Sequence, residues 1–202
     1  MKVAALFVQP DGCYANLKNV DAWPESRDAR NYNGPWPVIA HPPCQLWDAL
    51  ACVNYARWGG EHNKPGNDGG CFAFALDAVR KYGGVLEHPA KSKAFSAHGI
   101  PEPSVMGWQK TICGGWVCEV WQSAYRHRAN KATWLYYFGA KSPHSLKWDR
   151  PQGTHQIGFY DQRGKEANKP TLNKREANAT PLEFRNELLK LAINCGAAME
   201  ES

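Results

Sequence analysis

No stretch of this 202-residue chain reaches the ~20 consecutive apolar residues that a membrane-spanning helix needs. The opening run Val3-Ala4-Ala5-Leu6-Phe7-Val8 is stopped by Gln9-Pro10-Asp11-Gly12 before an export-signal core is complete, so it predicts a first β-strand instead. Internal repeats and low-complexity tracts are missing. So are the tight ligand pairs of structural zinc: the chain offers only His41-x2-Cys44 and Cys113-x4-Cys118. A zinc nucleobase deaminase would carry His-x-Glu ahead of Pro-Cys-x-x-Cys, and no His-x-Glu occurs. The seven cysteines are odd in number and irregularly spaced, which predicts reduced thiols in a cytoplasmic setting.

Acidic residues are scarce in one region. Residues 126–175 carry 11 basic and 3 acidic side chains, whereas residues 1–125 balance at 11 of each and residues 176–202 carry 2 basic and 5 acidic. A basic block of this kind either neutralises phosphates or forms a solvated face. Aromatics are plentiful, at 12% with nine tryptophans, and suit both a large core and base stacking.

Along the chain, turn and periodicity signals predict strands at 3–8 and 37–40, the second stopped by His41-Pro42-Pro43. The polar stretch 16–33 shows no clear period. Leu46, Trp47, Leu50, Val53 and Tyr55 predict one face of a helix from Cys44 to about Arg57. A loop at 59–70 precedes a helix over 70–82 that buries Phe72, Ala75, Leu76 and Val79, and Gly83-Gly84 closes it. Val85-Leu86-Glu87 reads as a third strand ending at His88-Pro89. Strands at 115–122 and 132–138 flank the basic turn Tyr125-Arg126-His127-Arg128, and 140–179 reads as irregular. Thr180-Pro181-Leu182-Glu183 predicts a capping box opening a last helix with Phe184, Leu188, Leu191 and Ala192 on its apolar stripe. Alternating strands and helices predict an α/β domain on a parallel sheet.

Two strand ends carry chemistry. After Val38-Ile39-Ala40, a stiff His41-Pro42-Pro43 turn leads to Cys44, expected at a helix N-terminus where backbone N–H groups favour a thiolate. An arbitrary cysteine is more often a core residue than a nucleophile, but the Pro-Pro frame at a strand's carboxyl end favours the nucleophile. Glu87 ends the other strand and is expected in the same crevice, its carboxyl kept partly protonated by burial.

Pro42-Pro43-Cys44-Gln45 resembles the Pro-Pro-Cys-Gln motif of cytosine-C5 DNA methyltransferases, and Leu86-Glu87-His88-Pro89 is similar to their Glu-Asn-Val or Glu-Asn-Pro motif, with histidine for asparagine. More loosely, 122–133 resembles the family's Gln-x-Arg-x-Arg region. Residues 6–12 are a distant relative of its glycine-rich cofactor loop, in which only Gly12 remains. The resemblance spans residues 3–139. It implies a compact Rossmann-like, methyltransferase-type α/β core over 1–139, a basic segment over 140–179 able to contact nucleic acid, and a closing helix within 180–202.

It further implies a nucleic-acid-modifying enzyme with DNA as partner. The Cys44 thiolate would attack C6 of a pyrimidine while Glu87 assists at N3. Gln45, His88, Gln122, Arg128 and Lys131 would bind substrate, with Arg128 at the carbonyl O2. Phe7, Gly12 and Asp21 would bind S-adenosylmethionine, and no metal is implied. The compact chain is similar to small bacteriophage or mobile-element proteins, for which the setting is the host cytoplasm. Two other readings stay open: the same fold acting on a pyrimidine without S-adenosylmethionine, and a non-catalytic methyltransferase-like domain that binds nucleic acid.

Overall fold

The computed structural model describes residues 1–48, 50–158 and 169–196. Parts of two expected segments, 159–168 of the basic segment and 197–202 of the closing region, lie outside the described residues. Seven strands form one mixed sheet: β1 (Val3–Leu6), β2 (Val20–Trp23), β3 (Val38–Ala40), β4 (Gly84–Pro89), β5 (Gln109–Lys110), β6 (Trp116–Trp121) and β7 (Ala132–Phe138), in the order β2-β1-β3-β4-β7-β6-β5. β2, β1, β3 and β4 run parallel, β7 is antiparallel to β4 and to β6, and β5 is antiparallel to β6.

Helices cover both faces, which is why the central strands read as unbroken apolar runs instead of alternating ones. On one face Leu6, Val38, Ala40, Leu86, Trp134 and Tyr136 pack under α2 (Cys71–Tyr82), whose Phe72, Ala75, Leu76 and Val79 are buried as the periodicity predicts. A short α3 (Lys93–Ala97), with no sequence expectation, adds Ala94 and Phe95 to this layer. On the other face Val3, Ala5, Ile39, Val85, Leu135 and Tyr137 pack against α5 (Leu182–Asn194) through Phe184, Leu188, Leu191 and Ala192. Gly84 admits β4 to the sheet: an added Cβ would sit 1.9 Å from the Val38 carbonyl oxygen.

Several expectations are corrected. β2 lies inside the stretch that showed no period, because its four residues are all half-buried at the sheet edge and give no alternation to read. The helix after Cys44 does not begin there: Gln45–Trp47 form a turn, and α1 (Ala51–Trp58) starts seven residues later. Of its predicted apolar face, Trp47 is buried, while Leu50 (61%), Val53 (58%) and Tyr55 (39%) stay exposed. Thr180 makes no cap; α5 starts after Pro181 without a side-chain cap bond. A capping box forms instead on α4 (Lys174–Asn178), between Asn173 and Glu176, within a segment expected to be irregular. No helix among the described residues is long and apolar enough to cross a membrane.

Candidate active site at the strand ends

Parallel β1, β3 and β4 all end at one edge of the sheet, and the antiparallel register brings the end of β6 and the start of β7 to the same edge (Trp121 opposite Ala132, Pro89 opposite Thr133). The connections from β1 lead first outward to β2 and then back to β3 on its other side, leaving a crevice of the kind where α/β proteins place their sites. Cys44 follows β3, Glu87 lies on β4, Gln122 follows β6 and Lys131 precedes β7. Charges on Lys131 and Glu87 both act on Cys44, and Lys131 in turn feels Glu87, Cys44 and Cys13. Cys44, Glu87 and Lys131 are therefore one cluster, with Lys131 in the place expected of Arg128.

The pleat decides which neighbours share it. Glu87 lies opposite Leu135 and faces the α5 side of the sheet; His88 lies opposite Trp134 and faces the α2 side. His41, two residues beyond Ile39, shares the face of Glu87. Its Nδ1 is 2.9 Å from Glu87 Oε2, and its Nε2 is 3.0 Å from the Tyr14 hydroxyl. On the other carboxylate oxygen, Gln122 Nε2 donates to Oε1 at 3.1 Å and also to Thr133 Oγ1 at 3.0 Å. Sequence reasoning missed Tyr14, His41 and Thr133. The legible signal for His41 was its two-residue spacing from a buried strand position on the strand next to Glu87.

Electrostatics correct two expectations. Burial acts most strongly on Glu87 and pushes its carboxyl up, but the hydrogen bond and charge of His41, with Lys131 and His88, outweigh it and hold the group below the ordinary glutamate value. Glu87 is thus a carboxylate, not a half-protonated acid. Burial pushes the Cys44 thiol up, reinforced by Glu87 and Asp48, while a backbone N–H and Lys131 oppose the shift. With α1 starting seven residues on, no helix terminus supplies the expected thiolate stabilisation; Lys131 is the nearby cation. Burial pushes Lys131 itself down against the pull of Glu87, Cys44 and Cys13, and its Nζ reaches the Asn178 and Ala179 carbonyls at 3.3 and 3.4 Å.

The other substrate candidates take different parts. Arg128, the residue assigned to the base carbonyl, is instead paired with Glu176 at 2.8 Å and touches His155, and Lys131 is the cation that stands with Cys44 and Glu87. Gln45 is exposed on the turn after Cys44. Gln122 is fully buried and spends its amide on Glu87 and Thr133, which makes it a brace for the carboxylate. His88, 1% exposed, packs edge-on against Phe72, with the Pro42 and Pro43 backbone beside its ring. It faces away from the crevice because a one-residue step along a strand reverses the side.

Burial depresses His88 to about 4. The unfolded chain therefore takes up a proton near the ordinary value of about 6.5 while the folded chain does not. Folding stability falls as pH drops through this window, by on the order of 3 kcal/mol once pH 4 is reached. His88→Phe, which keeps an aromatic edge for Phe72, should lose that much less between pH 7 and 4 in urea titrations. Equal losses in variant and wild type would place the acid sensitivity elsewhere.

The three residues assigned to S-adenosylmethionine are engaged within the chain. Asp21 has both oxygens occupied, Oδ1 by Arg27 at 2.8 Å and Oδ2 by the Trp23 indole N–H at 2.9 Å. Gly12 closes its own turn: its N–H donates to the Gln9 carbonyl at 3.1 Å, and that oxygen lies where an added Cβ would point. Phe7, at a left-handed φ of 58°, packs into the core layer under α2. Among the described residues of the basic block 126–175, part of the charge is also paired internally. Arg126 and Lys147 pair with Glu183, Arg150 with Glu119 and Arg175 with Asp11. Comparisons of the chain with protein-family models, curated proteins and solved structures find no match.

Proposed function

We propose that the protein is a pyrimidine-modifying enzyme of the cytosine-C5 kind that acts on DNA, with Cys44 as its nucleophile. The observation that carries this reading is the convergence of Cys44, Glu87 and Lys131 from three separate segments onto one end of one sheet. Thiolate addition at C6 activates C5, a poor nucleophile in the aromatic ring, toward an electrophile. Glu87 lies ready for the N3 and 4-amino edge of the base, and Lys131 offsets charge developing on the carbonyl O2. The base has to leave the duplex stack to reach such a site. An antiparallel β7 between β4 and β6 suits the Rossmann-like, methyltransferase-type sheet that the motifs imply.

The motif resemblance favours a methyl group from S-adenosylmethionine as the electrophile. The engaged Asp21 and closed Gly12 turn favour a second version, in which C5 takes a different electrophile. Both share the addition step, and that step is testable with a solvent deuteron alone. In D2O the Cys44 sulfur bonds to C6, C5 takes a deuteron, and loss of the original C5 proton expels the thiolate and restores the ring. Deuterium is expected at C5 of cytosine in single-stranded and duplex DNA, read by mass spectrometry of the nucleosides. Absence of exchange, together with no adduct on 5-fluorocytosine DNA, would overturn the enzyme and leave a nucleic-acid-binding domain. Titration with S-adenosylmethionine separates the two versions.

A further inference from the structure

Glu87 is gripped from two sides and backed by a second layer. His41 and Gln122 each hold one carboxylate oxygen, and Tyr14, only 3% exposed, holds His41 from behind. An ionised carboxylate accepts hydrogen bonds and cannot donate one, so His41 Nδ1 is the donor to Glu87. His41 Nε2 then accepts from the Tyr14 hydroxyl when the ring is neutral, or donates to its oxygen when the ring is charged, because a hydroxyl serves in both directions. The Tyr14–His41–Glu87 chain survives the gain or loss of one proton with both bonds intact. Other groups facing it are Cys13 on the loop after β1, Arg185 on α5, Cys44 and Lys131, while the charge of His88 acts from the opposite face of β4.

Addition of sulfur at C6 leaves the base in need of a proton at N3, and an ionised Glu87 carries none. We propose that His41, held by Tyr14, is a positioning residue that stores this proton and delivers it to the base through Glu87. The proposal rests on the pyrimidine reading. As the Cys44–C6 bond forms, the C5–C6 π pair shifts to C4–C5 and the C4–N3 π pair moves onto N3. N3 takes a proton from Glu87, which is resupplied from His41 Nδ1. His41 ends neutral, accepting from Tyr14, and the total charge of site and base is unchanged. Expulsion of the thiolate runs the same path backwards.

The test uses C5-deuterium exchange on a cytosine oligonucleotide against pH, for wild type, His41→Asn and Tyr14→Phe. Asparagine retains an N–H for Glu87 but stores no proton. Wild type sets the reference rate and profile. His41→Asn should lose about 10²-fold in kcat with KM nearly unchanged, and its rate should rise steadily with pH. Tyr14→Phe, which removes one hydroxyl and keeps the ring, should shift the profile in the same direction by about tenfold. A wild-type kcat and profile in His41→Asn would overturn the proposal. Were wild type itself to show no exchange, the pyrimidine reading would fall and the chain would be judged by 15N NMR. The His41 ring signals should move in both Glu87→Gln and Tyr14→Phe, and unchanged signals in both would overturn it independently of any activity.

Discussion

Cys44→Ser is expected to lower C5 exchange below about one thousandth of the wild-type rate. Serine keeps nearly the same shape, and position 44 lies half-buried on a turn outside any helix, so the fold has no reason to change. Deprotonation is the difference. Even the thiol is pushed up by burial, Glu87 and Asp48, and only Lys131 and a backbone N–H favour its ionised form. A serine hydroxyl is far less acidic than a thiol and stays protonated under the same influences. The same variant should form no adduct in intact-protein mass spectra after incubation with 5-fluorocytosine DNA. A near-normal rate, or an adduct of unchanged yield, would move the nucleophile to another residue, with Cys13, whose charge also acts on Lys131, as the first to test.

Glu87→Gln should slow the reaction by about 10²–10⁴-fold, the range for a lost proton-transfer group. The amide preserves the volume between His41 and Gln122 but removes the charge that orders both donors, and it presents an N–H where His41 Nδ1 already donates. A ratio near one would place Glu87 outside the chemistry. The variant also has a stability signature. Because the folded carboxyl lies below its ordinary value, Glu87 contributes stability that is complete above about pH 4.3 and is lost as pH falls through the depressed value. That acid-side loss should be missing from Glu87→Gln, while the loss between pH 6.5 and 4 that belongs to His88 remains.

Much of the architecture was readable where burial is uniform. Helices α2 and α5 formed where the 3.6-residue stripe of Phe72, Ala75, Leu76 and Val79, or of Phe184, Leu188, Leu191 and Ala192, predicts them. Strands β3, β4, β6 and β7 lie within a residue or two of their turn signals. The reading failed where a pattern has no tertiary partner. Leu50, Val53 and Tyr55 have helical spacing, yet no layer covers them, and Cys44 was tied to a helix that begins farther on. At β2 half-burial at the sheet edge erased the alternation.

The sequence by itself determined that Cys44 follows one buried strand and that Glu87 belongs to another, because apolar runs bounded by proline turns are local features. Only the tertiary structure decided what surrounds them. The parallel pairing of β3 with β4 set His41 beside Glu87, the pleat sent His88 to the opposite face, and the antiparallel return of β7 delivered Lys131 while leaving Arg128 with Glu176. It also decided protonation. Whether a buried carboxylate is charged depends on the donors packed against it, and those donors, His41 and Gln122, come from positions 46 and 35 residues away along the chain.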